Sequence, residues 1–279
     1  MSLRSIALSL FPWRIFQGGA IFLAASVAAA PNDRSVPTEP SLSPPKLETI
    51  ELGNGITMEF VMVAPGTFMM GSTYESVGAG DETPCHKVTL SRSFLLGKCE
   101  VTQEQWSQIM GSNPSRFKGK KLPVETVSWN DCQHFLAKLS ELSGRTFSLP
   151  TEAQWEYACR AGTATAWNSG EEATVPGSAW HDENSGGRTH PVGGKTPNAW
   201  GFHDLHGNIG EWCADWYASH YPPDDAIDPK GPPSGDSKVV RGGAWGDNPS
   251  MLRSPSRNAN GPDGANHGIG FRCVLEIKP

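Results

Sequence analysis

Six cysteines and eight histidines are the side chains of this sequence best suited to redox or metal chemistry. The cysteines, Cys85, Cys99, Cys132, Cys159, Cys213 and Cys273, contain no C-x-x-C pair, so their spacing offers neither a zinc ribbon nor a thioredoxin-like dithiol. An even, scattered set in an exported chain points instead to disulfides, and spacing alone fixes none of the pairings. His203 and His206 precede Gly207, and His181, His190 and His267 lie in long irregular stretches; three imidazoles together can hold iron or copper. Their spacing follows no ligand motif, and scattered loop histidines more commonly face solvent or hydrogen-bond. No serine nucleophile elbow or phosphate-cradling glycine loop is present. Arg241-Gly-Gly243 reads as a tight turn under a cleft.

The elements that must position these groups are short. Thirty-one glycines and 23 prolines keep helices and strands brief, and ten tryptophans must supply much of the core. Thr102 with Gln105 forms a capping box ahead of Trp106, Ile109 and Met110, and Gly111 stops that helix. Thr151 with Gln154 does the same ahead of Trp155, Ala158 and Cys159, with Gly162 as the stop. Between them Ser128 caps a longer helix whose Cys132, Phe135, Leu136, Leu139 and Leu142 form one apolar stripe. Phe60 to Ser72 reads as a hairpin around Pro65-Gly66, and His86 to Leu96 as another strand. Gly170 to Cys273 reads as mostly loop, a length that needs disulfides, metal ions or packed tryptophans to hold it.

Ahead of these elements, Arg4 and Arg14 precede the apolar stretch Gly18 to Val27 and the small residues Ala28, Ala29 and Ala30. That is the order of a secretion signal, over residues 1–30. Pro31 disfavours a cut directly after Ala30. The apolar run is shorter than the roughly 20 residues of a spanning helix, so no membrane association is expected beyond the signal. Residues 31–46, rich in Pro and Ser, read as an extended tether, leaving 47–279 as one domain of an exported protein: periplasmic, cell-surface or secreted. The net charge of −6 and the dispersed Lys and Arg exclude a nucleic-acid binder.

Several runs carry a resemblance. Phe60-Val-Met-Val-Ala-Pro-Gly-Thr-Phe-Met-Met-Gly-Ser72, Glu100-Val-Thr-Gln103, Leu149-Pro-Thr-Glu-Ala-Gln-Trp-Glu-Tyr-Ala-Cys-Arg160, Gly207-Asn-Ile-Gly-Glu-Trp212, Arg241-Gly-Gly-Ala-Trp245 and Gly270-Phe-Arg-Cys273 resemble, in order, the formylglycine-generating enzyme, or sulfatase-modifying factor, family. The resemblance implies an α+β fold, irregular and loop-rich, of the C-type-lectin-like kind. It also implies calcium, held by the Asp204 side chain, the Gly207 and Ile209 carbonyls and the Glu211 carboxylate, a sensible set of hard oxygen ligands. A second calcium site maps onto Asn184 and the Gly186 carbonyl, but Trp180 stands where another ligand belongs. Gly210 replaces a usual tryptophan, which suggests a looser loop. The family's exported members join the positions of Cys159 and Cys273 by a disulfide.

Active members of the family oxidise a cysteine in a sulfatase C-x-P-x-R motif with O2 and a copper(I) ion on two thiolates, soft ligands suited to that ion. The two thiolate positions are Asp247 and Leu252 in this sequence. The serine expected before the aromatic residue is Ala244, and an asparagine expected in the cleft is Gly268. The expectation is therefore a calcium-stabilised binding or scaffold module without copper, its former substrate cleft taking a peptide, protein or glycan. The alternatives are an enzyme with altered metal chemistry around Asp247 and the histidines, or an oxidase using other cysteines.

Overall fold

The computed structural model describes residues 46–72 and 80–277; the signal over 1–30 and nearly all of the tether lie outside them. In chain order the first strands and helices are β1 (Leu47–Gly53), β2 (Ile56–Val63), β3 (Gly66–Met70), β4 (His86–Leu90), β5 (Phe94–Gly97), α1 (Gln103–Met110) and α2 (Trp129–Ser143). There follow β6 (Phe147–Ser148), α3 (Glu152–Arg160), α4 (Val175–Ser178), β7 (Gly210–Trp216), β8 (Ala226–Ile227), β9 (Lys238–Arg241), β10 (Arg257–Asn260), β11 (Ile269–Gly270) and β12 (Val274–Leu275). Three sheets result, ordered β1-β2-β5-β12-β6, β10-β9-β7-β11 and β3-β4-β8. Among the described residues no helix is long and apolar enough to cross a membrane.

The capping residues start each main helix as read. Thr102, Ser128 and Thr151 accept the N–H of Gln105, Asp131 and Gln154, whose side chains return the bond to the cap, satisfying two otherwise orphaned donors per helix. Gly111 ends α1 with φ 78°. The stop of α3 is Ala161, itself left-handed at φ 45°, one residue before Gly162. In α2, Cys132, Phe135, Leu136 and Leu139 are buried, but Leu142, in the last turn, is 71 % exposed, so the apolar stripe does not run to the helix end.

Pro65-Gly66 is not a hairpin tip. β2 pairs with β1 and β5, whereas β3 pairs with β4, so the chain turns a corner between two sheets there. A Cβ at Gly66 would overlap the Tyr157 hydroxyl at 2.0 Å, which explains the glycine. His86 to Leu96 likewise divides into β4 and β5, one in each sheet. The stretch from 170 to 273, expected to be mostly loop, carries the whole β10-β9-β7-β11 sheet. Its strands are too short, and β7 too bulged between Trp212 and Trp216, for period-two alternation to show.

Two apolar clusters flank the five-stranded sheet. Under α1 and α2, Trp106 stacks on Phe135 (5.2 Å, 3°) and Phe271 meets Phe135 edge-on at 5.4 Å, an arrangement that adds about 0.5–1.5 kcal/mol per pair to plain burial. Around α3, Trp155, Ala158 and Cys159 pack with Val88, Leu96, Phe202 and Val239. All six cysteines are free thiols, which corrects the expected Cys159–Cys273 bond. α3 presents Cys159 to His206 and Ser254, while Cys273 belongs to the cluster under α1 and α2 that also holds Cys132.

Candidate functional site

The approach to β7 turns sharply: Asp204, Gly207 and Asn208 have φ of 59°, 86° and 61°. A Cβ on Gly207 would lie 2.2 Å from the Trp180 carbonyl oxygen, so only glycine lets the two loops meet. These turns bury Asp204 near Glu100 and Glu211. Asp204 accepts the Gly193 N–H at 2.7 Å through Oδ2, and its Oδ1 has no hydrogen-bond partner among the described residues. Burial pushes this carboxyl above its ordinary range, against the Gly193 bond and the Arg272 charge.

Glu211 is gripped by Arg272 in a fork, Nε to Oε2 and Nη2 to Oε1, both 2.6 Å. The Trp155 indole N–H also donates to Oε2 at 2.8 Å. Glu100 accepts from Asn208 Nδ2 at 2.8 Å and the Ile209 N–H at 3.2 Å. Burial, then the like charges of Asp204 and Glu211, push the Glu100 carboxyl well above its ordinary value. The Arg272 guanidinium, with the Lys195 ammonium also within reach of Asp204, thus answers three buried carboxyl groups, and one Asp204 oxygen stays open. A hard divalent cation or a proton satisfies such an arrangement. The expected ligand set divides: Asp204 is open, whereas Glu211 is committed to Arg272. Among the described residues no three His, Cys, Asp or Glu side chains converge on a metal position, so an ion here would depend on carbonyls such as Gly207 and Ile209 and on water. Gly210 does not loosen the loop. It is buried, and a Cβ there would sit 2.9 Å from Val240 Cγ1.

The second loop runs from Gly242 to Leu252. Gly242 and Gly243 have φ of 93° and 66° and make the tight turn read from Arg241-Gly-Gly243. Arg241, buried beneath it, pairs with Glu156 and donates to the Ser256 carbonyl. Asp247 closes the next turn: its Oδ2 accepts the Ala244 N–H at 2.8 Å, and its own N–H donates to the Ala244 carbonyl at 3.0 Å. Leu252 is wholly buried with Trp167, Val175 and Ala179. A Cβ at Gly207 or Gly243 would meet its side chain at 2.8 or 3.3 Å. Ala244 and Gly268 face each other, since a Cβ on Gly268 would lie 3.4 Å from that of Ala244. The Cys159 thiol next to Ser254 is pushed up to about 12 by burial, which keeps it from being a thiolate.

The sulfatase-modifying factor enzyme 1-like domain matches residues 51–277. The chain belongs to the sulfatase-modifying factor family. It is 34% identical over 286 residues to the formylglycine-generating enzyme of Streptomyces coelicolor, covering 77% of this chain and 88% of that enzyme. It is also 31% identical over 252 residues to the serine/threonine-protein kinase pkn1 of Chlamydia pneumoniae, covering 80% of this chain but spanning only 38% of the kinase. Among solved structures, Treponema denticola variable protein 1 matches with a TM-score of 0.77 at 30% identity, covering 83% of this chain and 99% of that one. PvdO from Pseudomonas aeruginosa matches with a TM-score of 0.73 at 29% identity, over 84% and 99%. The α+β fold is that of the family.

Within this family fold the histidines stay apart. His181 Nδ1 lies 3.2 Å from Asp182 Oδ1, and His203 Nδ1 2.9 Å from the Lys195 carbonyl. His190 stacks on Trp180 at 3.7 Å. His206 Nδ1 lies 2.6 Å from the Leu252 carbonyl, and burial pushes its imidazole down to about 4. At the second calcium position, Asn184 Oδ1 accepts the His181 N–H and its amide donates to the Ala179 carbonyl. Glu100 and Arg272 stand in the family motifs, where local sequence assigns them no role. The basic residues, expected to be dispersed, include Arg116, Lys118, Lys120 and Lys121 in one six-residue loop that packs on Trp245 and His267 through Phe117.

Proposed function

We propose that this chain is an exported binding module of the sulfatase-modifying factor family, stabilised by calcium at Asp204 and without the family's copper oxidase chemistry. The observation that carries the reading is Leu252, wholly buried in an apolar cluster at a position where the resemblance requires a thiolate. Asp247, at the other thiolate position, has one carboxylate oxygen on a backbone turn and is a hard donor. Neither residue suits copper(I), which takes soft sulfur ligands. The open Asp204 Oδ1 and the excess of carboxylate over guanidinium around it support calcium. A copper(I) titration against a competing chelator tests the first part: the chain should hold no stoichiometric copper(I), and one equivalent retained on a cysteine pair would overturn the reading.

A further inference from the structure

We infer that the basic loop 116–121, together with Arg188, forms a docking surface for an acidic peptide segment of another protein, beside the segments that carry Ala244 and Gly268. The inference deepens the binding-module reading and rests on it. Phe117 sits edge-on to Trp245 (5.6 Å, 89°) and 6.3 Å from His267, and the Trp245 indole N–H donates to the His267 carbonyl. Both rings belong to the residues flanking Ala244 and Gly268. The guanidiniums of Arg116 and Arg188 lie over Phe117, 5.5 and 6.0 Å from its centroid. Aromatic support of this kind fixes an arginine without neutralising it.

The charges on this surface are largely unanswered. Arg116, Lys120 and Arg188 are exposed and have no hydrogen-bonded or ion-paired side-chain partner among the described residues. Lys118 donates to the Asn113 carbonyl, which leaves its charge uncompensated, and Lys121 alone pairs with a carboxylate, Glu104. Beneath the loop, the buried Glu125 accepts the Phe117 N–H at 2.8 Å and the Thr126 hydroxyl at 2.6 Å, so it anchors the loop's backbone. In a chain of net charge −6, this is a local concentration of positive charge held on a rigid aromatic base.

That surface selects carboxylates. Guanidiniums fixed in place offer forked hydrogen bonds to them. A C-x-P-x-R peptide would instead bring another arginine against Arg116 and Arg188, an unfavourable like-charge contact. A sugar chain fits less well, because the Phe117 ring already carries the two guanidiniums and is not a free aromatic platform. The chain's own tether is no candidate, since residues 31–46 hold Asp33 and Glu39 against Arg34 and Lys46.

The test is fluorescence anisotropy of a labelled Glu-Gly repeat dodecapeptide with the purified chain. Binding should weaken with added salt, as screening requires, and the Arg116→Gln/Arg188→Gln variant should lose it by about tenfold or more. Lys138→Gln, an exposed change on α2, should leave it unaltered, and melting curves of both variants should match the parent. Equal binding by the double variant, or by a neutral Gln-Gly peptide, would overturn the proposal. So would tighter binding of an oligogalacturonate of equal charge, which would make this a glycan site, or self-association in sedimentation that the double variant abolishes. A chain that binds no acidic peptide and makes no formylglycine refutes this ligand alone; one that makes formylglycine refutes the functional reading beneath it.

Discussion

The loop from Asp204 to Glu211 and the loop from Gly242 to Leu252 are stitched together, Gly207 N–H to the Gly242 carbonyl and Trp245 N–H to the Asn208 carbonyl, both at 2.9 Å. Their chemistry differs sharply. The first brings two buried carboxyl groups, Asp204 and Glu211, against a third, Glu100, and leaves an Asp204 oxygen open. The second has its acidic side chain tied into a turn and its other candidate ligand position filled by packed hydrocarbon. One fold can therefore hold buried carboxyl groups in one loop while the loop bonded to it is filled by packed hydrocarbon at Leu252.

Replacing Arg272 with Ala should have the largest effect, about 3–5 kcal/mol of lost stability, because it leaves Glu211 buried without its counter-charge. Denaturant unfolding of the variant checks this, and a loss below about 1 kcal/mol would mean the first loop is not charge-driven.

Next comes the response to acid at the contact between the loops, where His206 of the first meets Leu252 of the second. His206 is held neutral against the Leu252 carbonyl with its imidazole pushed down to about 4. The folded state resists the proton, so the contribution is complete above the unfolded value of about 6.5 and falls as pH drops toward 4. The expected size is on the order of 3 kcal/mol. His206→Gln should flatten that part of the stability profile; an unchanged slope would remove His206 from the account.

Calcium sharpens the contrast from the other side. Chelation should lower the melting temperature, corresponding to about 2.7 kcal/mol when free calcium had been a hundred times its dissociation constant. Asp204→Asn should abolish most of the difference. A melting curve indifferent to chelator would sink the calcium assignment. The smallest effect belongs to Asp247→Ala, about 1 kcal/mol for one turn-closing hydrogen bond, with no dependence on any metal; a metal-dependent loss there would blur the distinction between the loops.

Much of the fold was legible because its signals are local. The three capping boxes needed only four residues each, and the family motifs placed the turns at Gly207 and Gly242. What escaped was set by tertiary contact. Pro65-Gly66 looks like a hairpin tip until Tyr157 claims the space beside Gly66, and two-residue strands such as β11 and β12 leave no periodic trace. At the candidate site, Asp247 and Leu252 could be singled out by position. That Glu211 would be bound by an arginine 61 residues away, leaving Asp204 as the open oxygen, could not. The basic residues of 116–121 carry no sequence signal of their own, because the aromatic base under Arg116 depends on Trp245 and His267, far along the chain.

The central claim is that this cleft has lost the two-thiolate copper site to packing. Incubating a C-x-P-x-R peptide with the purified chain, copper(I) and O2, and reading the cysteine by mass spectrometry, tests it most directly. The account predicts unmodified cysteine at the level of a protein-free control. Copper-dependent formylglycine above that level would contradict it.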